Sequence, residues 1–110
     1  MPTVYKNAQV QGTAGVTTYA TLYNTGAATT AVISTIAVCN TASTSATYRI
    51  GIMGSAGTPS AANWLVYDSS VPANDTIFIT IGISLGNTQF IRVSSSANTV
   101  TFSAYVSEIS

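Results

Sequence analysis

The side chains with chemical potential in this chain are few and widely separated. Asp68 and Asp75 bracket the stretch DSSVPAND, close enough in sequence to suggest a carboxylate pair for glycoside cleavage or an oxygen cage for calcium. The first needs two carboxyls facing each other across a cleft, and the second needs alternating oxygen ligands that SSVPAN does not supply. Strand-end aspartates making turns are the plainer reading. Cys39, in AVCNT, has no cation near it in sequence to lower its thiol pKa and reads as a small buried hydrophobe within a strand. The chain contains no histidine, which removes the usual general base, the commonest transition-metal ligand and every Ser-His or Cys-His nucleophile pair. The glycines of GIMGSAG are followed by neither lysine nor a helical pattern, so no phosphate loop is expected. The Asn74-Asp75-Thr76 sequon is a short match that means little without a secretory leader. The expectation is a non-enzyme without metal or cofactor.

Aromatic side chains offer more than the ionisable ones. Trp64 and Tyr67, in WLVYD, are the types that stack on sugars, but strict strand alternation sets them on opposite faces, one toward the core and one toward the rim. Tyr5, Tyr19, Tyr23, Tyr48 and Tyr105 add the residue type that contact surfaces favour. The candidate interface comprises Tyr19, Tyr23, Arg49, Tyr67, Phe78, Phe90 and Tyr105.

The elements that must position these residues are strands. VTTYATLY places Val16, Thr18, Ala20 and Leu22 on one face and Tyr19 and Tyr23 on the other. VISTIAV places Val32, Ile36 and Val38 opposite Ile33, Ala37 and Cys39, and TYRIGIM sets Tyr48, Ile50 and Ile52 against Arg49 and Met53. DTIFITIGISL points Ile77, Ile79, Ile81, Ile83 and Leu85 inward and Phe78 outward. QFIRVS buries Ile91 and Val93 and leaves Phe90 and Arg92 outside, and TVTFSAYVS buries Val100, Phe102, Ala104 and Val106 and exposes Tyr105. NTASTSA reads as a polar loop, GSAGTPSAAN as a surface crossing between sheets, and VPAND as a turn. No segment shows a helical stripe and no internal repeat is visible. The expected fold is an all-β antiparallel β-sandwich, jelly-roll-like, of about seven or eight strands. It forms one domain over residues 1–110, with 1–12 an extended N-terminal arm or edge strand.

Composition limits the partners. At 110 residues and 46% hydrophobic, the chain is long enough to bury a core without metal or disulfide, and its single cysteine permits no internal bridge. Only 5% of residues are charged, against about 25% in an ordinary soluble domain. Lys6, Arg49 and Arg92 balance Asp68, Asp75 and Glu108. Ser and Thr supply 32 residues, so hydroxyls rather than ions wet the surface, and zero net charge favours self-association. Three scattered cations form no phosphate-tracking stripe, which argues against nucleic acid. The absence of a long apolar run argues against a membrane helix, and MPTVYKNAQVQG carries no secretory signal pattern.

The stretches VCN, YRIGI, VYDSSVPANDT and SEIS resemble a group of small, charge-poor β-sandwich proteins encoded among the structural genes of tailed bacteriophages, cyanophages included. The resemblance spans Tyr19 to Ser110. Cys39, Asn40, Arg49, Asp68, Pro72 and Asp75 match as fold positions, with no active site to carry over. In that group a basic residue follows the cysteine-asparagine pair, where this chain has Thr41. The resemblance implies a virion structural protein made in the host cytoplasm. The expected role is a capsid decoration or cement protein, a homo-oligomer and specifically a trimer, bound to the major capsid protein or other virion proteins. A tail, neck or baseplate component is the alternative, and a carbohydrate-binding adhesin module using Trp64 or Tyr67 is a second. Bringing those two rings together would favour the adhesin; flat hydroxyl-rich faces and an ordered N-terminal arm would favour decoration.

Overall fold

The alternating sequence resolves into strands throughout a computed structural model that describes residues 3–109, with no helix among them. The nine strands are β1 (Thr3–Gln11), β2 (Gly15–Asn24), β3 (Thr30–Asn40), β4 (Ala46–Met53), β5 (Trp64–Val71), β6 (Asp75–Ile79), β7 (Ile83–Leu85), β8 (Phe90–Ser95) and β9 (Val100–Ile109). One sheet runs β1-β9-β3-β6, with β7 also on β3; the other runs β2-β8-β4-β5. Every strand pair is antiparallel, and the two sheets form the expected sandwich.

The inward faces form a single core. Phe102, Ile33, Ile36, Val38, Val100, Leu85 and Ala104 of the first sheet meet Ile50, Ile91, Val93, Val71 and Tyr48 of the second, and Tyr48 packs edge-on to Phe102 at 6.3 Å between ring centroids. Tyr48 is therefore a core residue and not a contact aromatic. Burying such a set supplies the main driving force, at roughly 25 cal/mol per Å² of apolar area.

Three departures from strict alternation change which side chains face out. In β3, Ile33 pairs with Val106 while Thr35 pairs with Tyr105, so Ser34 is an extra residue. The bulge reverses the phase: Ala31 and Ile33 point inward before it, Ile36 and Val38 after it, and Val32 is left 43% exposed rather than sharing the face of Ile36. Beside this bulge the isoleucine run cannot pair continuously and splits into β6 and β7. Gly82, at φ 65°, lies in the link between them, and Ile81, expected inside, stands exposed there. In β2, Thr21 pairs with Arg92 and Tyr23 with Ile91, so Leu22 is extra and Tyr23 turns into the core instead of sharing the face of Tyr19. Its hydroxyl donates to the Glu108 carboxylate, which Lys6 also engages at 3.1 Å.

β1 occupies the edge beside β9 in unbroken register from Thr3 to Gln11; Met1 and Pro2 lie outside the described residues. The chain then crosses sheets at Gly12, whose missing side chain is required: a Cβ there would lie 2.1 Å from Ser95 Oγ. The NTASTSA loop is organised by Asn40, buried at the end of β3. Its Nδ2 donates to Thr44 O at 2.8 Å, and its Oδ1 accepts from Ala42 N and Thr99 Oγ1.

Candidate functional site

The edge strand β5 does not alternate either. Ile50 pairs with Val66 and Gly51 with Trp64, which makes Leu65 an extra residue; Tyr48 pairs with Ser69, so Tyr67 and Asp68 together oppose Arg49. These two bulges carry Trp64, Tyr67 and Asp68 to the outer face of the second sheet, where plain alternation would separate Trp64 from Tyr67. The ring centroids of Trp64 and Tyr67 are 5.1 Å apart with an edge-to-face tilt, and Tyr19 of β2 lies 5.8 Å from Trp64. Asp68 adopts φ 53°, a left-handed conformation that Asp tolerates better than most residues.

Arg49 organises the cluster. Its Nε and Nη2 donate to the two oxygens of Asp68 at 2.6 and 3.1 Å, and Nη1 donates to Tyr19 Oη at 3.1 Å and Val16 O at 3.4 Å. Its Cζ lies 4.2 Å from the Tyr67 ring centroid and 5.6 Å from that of Trp64, within cation–π range. The Asp68 carboxylate strengthens the hold of Arg49 on its proton, and hydrogen bonding from Arg49 lowers the Asp68 pKa, so both remain ionised at neutral pH. Arg49 itself is buried while Asp68 remains accessible. Ser94, opposite Arg49 in the β4–β8 register, is buried with its hydroxyl unpaired among the described residues.

A glycine gives this face its depth. A Cβ on Gly51 would come within 3.1 Å of Pro59 and 3.5 Å of the Trp64 indole, so the bare backbone lets the 54–63 loop fold down beside Trp64. Ile52 N donates to Asn63 O at 3.0 Å, Ser60 N donates to Asn63 Oδ1 at 2.8 Å, and Arg92 Nε donates to Gly57 O at 3.2 Å, which together pin the loop. Tyr19, Arg49, Trp64 and Tyr67 then line a concavity of about 450 Å³ whose loop wall is Pro59-Ser60-Ala61. That volume is within the range of about 300–1,000 Å³ typical of small-molecule sites.

The outer face of the first sheet has a different character. By register it presents Tyr5, Asn7, Gln9 and Gln11 from β1, Thr101, Ser103, Tyr105 and Ser107 from β9, Val32, Thr35, Ala37 and Cys39 from β3, and Thr76 and Phe78 from β6. No charged residue is among them. Tyr5 is 82% and Phe78 64% exposed, with Val32 and Tyr105 also open. A concavity of about 440 Å³ separates Tyr5 from Tyr105, and Lys6 contributes to its lining. Cys39 lies half-buried on this outer face, opposite Thr76 and Thr101, and not fully buried as its small apolar character suggested.

The seven candidate interface residues thus divide. Tyr19, Arg49 and Tyr67 converge on one site, with Arg49 buried as its scaffold; Phe78 and Tyr105 share the opposite face; Phe90 is half-buried on the outside of the second sheet, opposite Asn24 and Met53; Tyr23 is interior. Asp75 is exposed and caps its own turn, its Oδ1 accepting from Thr76 N at 2.8 Å. Sequence reasoning did not assign Asp68, Gly51, Pro59 or Ser60 to a site. The one available signal was WLVY, four apolar or aromatic residues in a row where a half-buried strand should alternate. Comparison with protein-family models, with curated sequences and with solved structures finds no match to this chain.

Proposed function

We propose that this protein is a non-catalytic structural subunit of a tailed-phage virion, a capsid decoration protein that attaches to the assembled shell through the outer face of its first sheet. The observation that carries this reading is the combination, on that face, of exposed Tyr5, Val32, Phe78 and Tyr105 with a surround mostly of hydroxyls and amides. The phage resemblance of VCN, YRIGI and VYDSSVPANDT points the same way. An uncharged face cannot compensate the desolvation of a partner's ions, so the matching coat surface must be neutral as well. The molecule measures 45 × 25 × 19 Å, so a broad face can supply the roughly 800 Å² per partner of a standard interface. A subunit that binds only assembled shell stabilises it by mass action, and several attachments per oligomer multiply weak contacts. A homo-oligomer, with the trimer as its expected form, provides that multivalency.

The test is co-sedimentation with heads lacking the protein. Wild type should pellet with heads at low and physiological salt alike, and Tyr5→Ser combined with Tyr105→Ser should weaken attachment by about tenfold or more, as expected for central aromatic contacts. The half-buried Cys39 thiol should react more slowly with reagent on the head than in the free protein. Protein that stays in the supernatant overturns the proposal, and binding to isolated tails in place of heads replaces it with the tail-component reading.

A further inference from the structure

The attachment face leaves the concavity on the opposite sheet unexplained. We infer that the site formed by Tyr19, Arg49, Trp64, Tyr67 and the Pro59-Ser60-Ala61 loop binds a neutral saccharide, one sugar ring stacking on the Trp64–Tyr67 corner. Three features select that chemistry. Anions are disfavoured because the guanidinium of Arg49, the one cation in the lining, is held in a two-pronged pair by Asp68 and lies against the rings of Tyr67 and Trp64. Hydrogen-bonding groups of both senses are fixed at the site. Tyr19 Oη accepts from Arg49, which leaves its own proton free to donate, and Ser60 Oγ donates to Asn63 Oδ1, which leaves its lone pairs free to accept. The rings provide a flat apolar corner, held rigid by bulges, by the Arg49 hydrogen bonds and by the loop fitted over Gly51.

A sugar presents an apolar ring face bordered by hydroxyls that both donate and accept, which matches this set. A proline-rich peptide also docks on aromatic grooves, but its backbone offers mainly carbonyl acceptors and would leave the accepting Ser60 Oγ facing another acceptor. The inference does not depend on shell attachment, since it uses the other face of the sandwich.

Trp64 is the only tryptophan in the chain, so its fluorescence reports this site alone. Full-length protein is titrated with soluble neutral hexamers of glucose, galactose, mannose and N-acetylglucosamine, with a sulfated oligosaccharide, and with a proline-rich decapeptide. At least one neutral hexamer should give a saturable change, insensitive to salt between low and physiological ionic strength. Tyr67→Ala, which removes a largely exposed ring, should weaken that binding by about tenfold while leaving thermal unfolding nearly unchanged. Gly51→Ser, which pushes on Pro59, should weaken it as well. The inference is overturned if no neutral hexamer binds at millimolar concentration, if Tyr67→Ala binds as wild type does, or if the sulfated sugar or the peptide binds more tightly than every neutral sugar.

Discussion

The two outer faces of the sandwich draw on the same restricted alphabet of hydroxyl, amide, aliphatic and tyrosine side chains, yet they differ in organisation. On the first sheet, register is continuous between β1 and β9, the exposed aromatics Tyr5, Phe78 and Tyr105 stand apart, and the residues whose register faces them outward are uncharged, with Lys6 at the wall of the Tyr5–Tyr105 concavity. On the second, bulges in β5 bring Trp64 and Tyr67 together beside Tyr19 and around Arg49, and the loop packed over Gly51 adds a wall. Continuous β1–β9 pairing spreads side chains at fixed spacing, and the one bulge on that face, at Ser34, adds only Val32 to a broad, uncommitted surface suited to another protein. Irregular pairing concentrates them and yields a small preorganised site. Half of the chain's charge is invested in the second face, where Arg49, Asp68 and Arg92 hold strands and loop in place.

The comparison can be broken most severely from beneath. Phe102 is fully buried and packs on Tyr48, so Phe102→Ala should cost about 3–5 kcal/mol. Because one core supports both faces, Cys39 exposure and Trp64 fluorescence should shift to the same lower midpoint in a denaturant titration. Separate midpoints would show that the sheets unfold independently. A smaller, one-sided effect is expected from Gly51→Ala. The added methyl crowds Pro59 and Trp64 and should cost about 1–3 kcal/mol through overpacking. It should alter the Trp64 spectrum while the Cys39 labelling rate of the native state stays at its wild-type value; a change at Cys39 would contradict the separation of the faces.

The smallest effect is a pH dependence. Hydrogen bonds from Tyr23 and then Lys6 lower the Glu108 pKa below its ordinary value of 4.5, and the bond from Arg49 lowers that of Asp68 below 3.8. A carboxylate with a depressed folded-state pKa stabilises the fold fully above its unfolded pKa, and that stabilisation disappears as pH falls through the folded value. Thermal midpoints should therefore be flat above about pH 5 and fall progressively below about pH 4. Glu108→Gln should flatten part of this acid limb by acting where β9 meets Tyr23 of β2, and Asp68→Asn should flatten another part while perturbing Trp64 alone. An unchanged acid limb in Glu108→Gln would show that the Tyr23 and Lys6 contacts contribute nothing to stability.

Alternation by itself determined that this chain is an antiparallel β-sandwich and that Phe102, Ile50, Ile91 and Val93 lie inside, but it counted seven or eight strands where the fold has nine, because it read the broken isoleucine run as one strand. That information is local: side chains on successive strand residues take opposite sides, and apolar ones must leave water. Composition likewise determined the near-absence of ions from the surface and the lack of any histidine chemistry. The phase of each face was decided only by the tertiary structure, because a bulge depends on how many residues the partner strand offers, and no single strand encodes that number. Ser34, Leu22, Leu65 and the Tyr67–Asp68 pair each shift the alternation, exposing Val32, burying Tyr23 and uniting Trp64 with Tyr67. The Arg49–Asp68 pair joins positions 19 residues apart, and the fit of Pro59 over Gly51 needs the loop to fold back on the strand it leaves. The individual residues of the candidate site were visible in the sequence, but their convergence required the folded backbone.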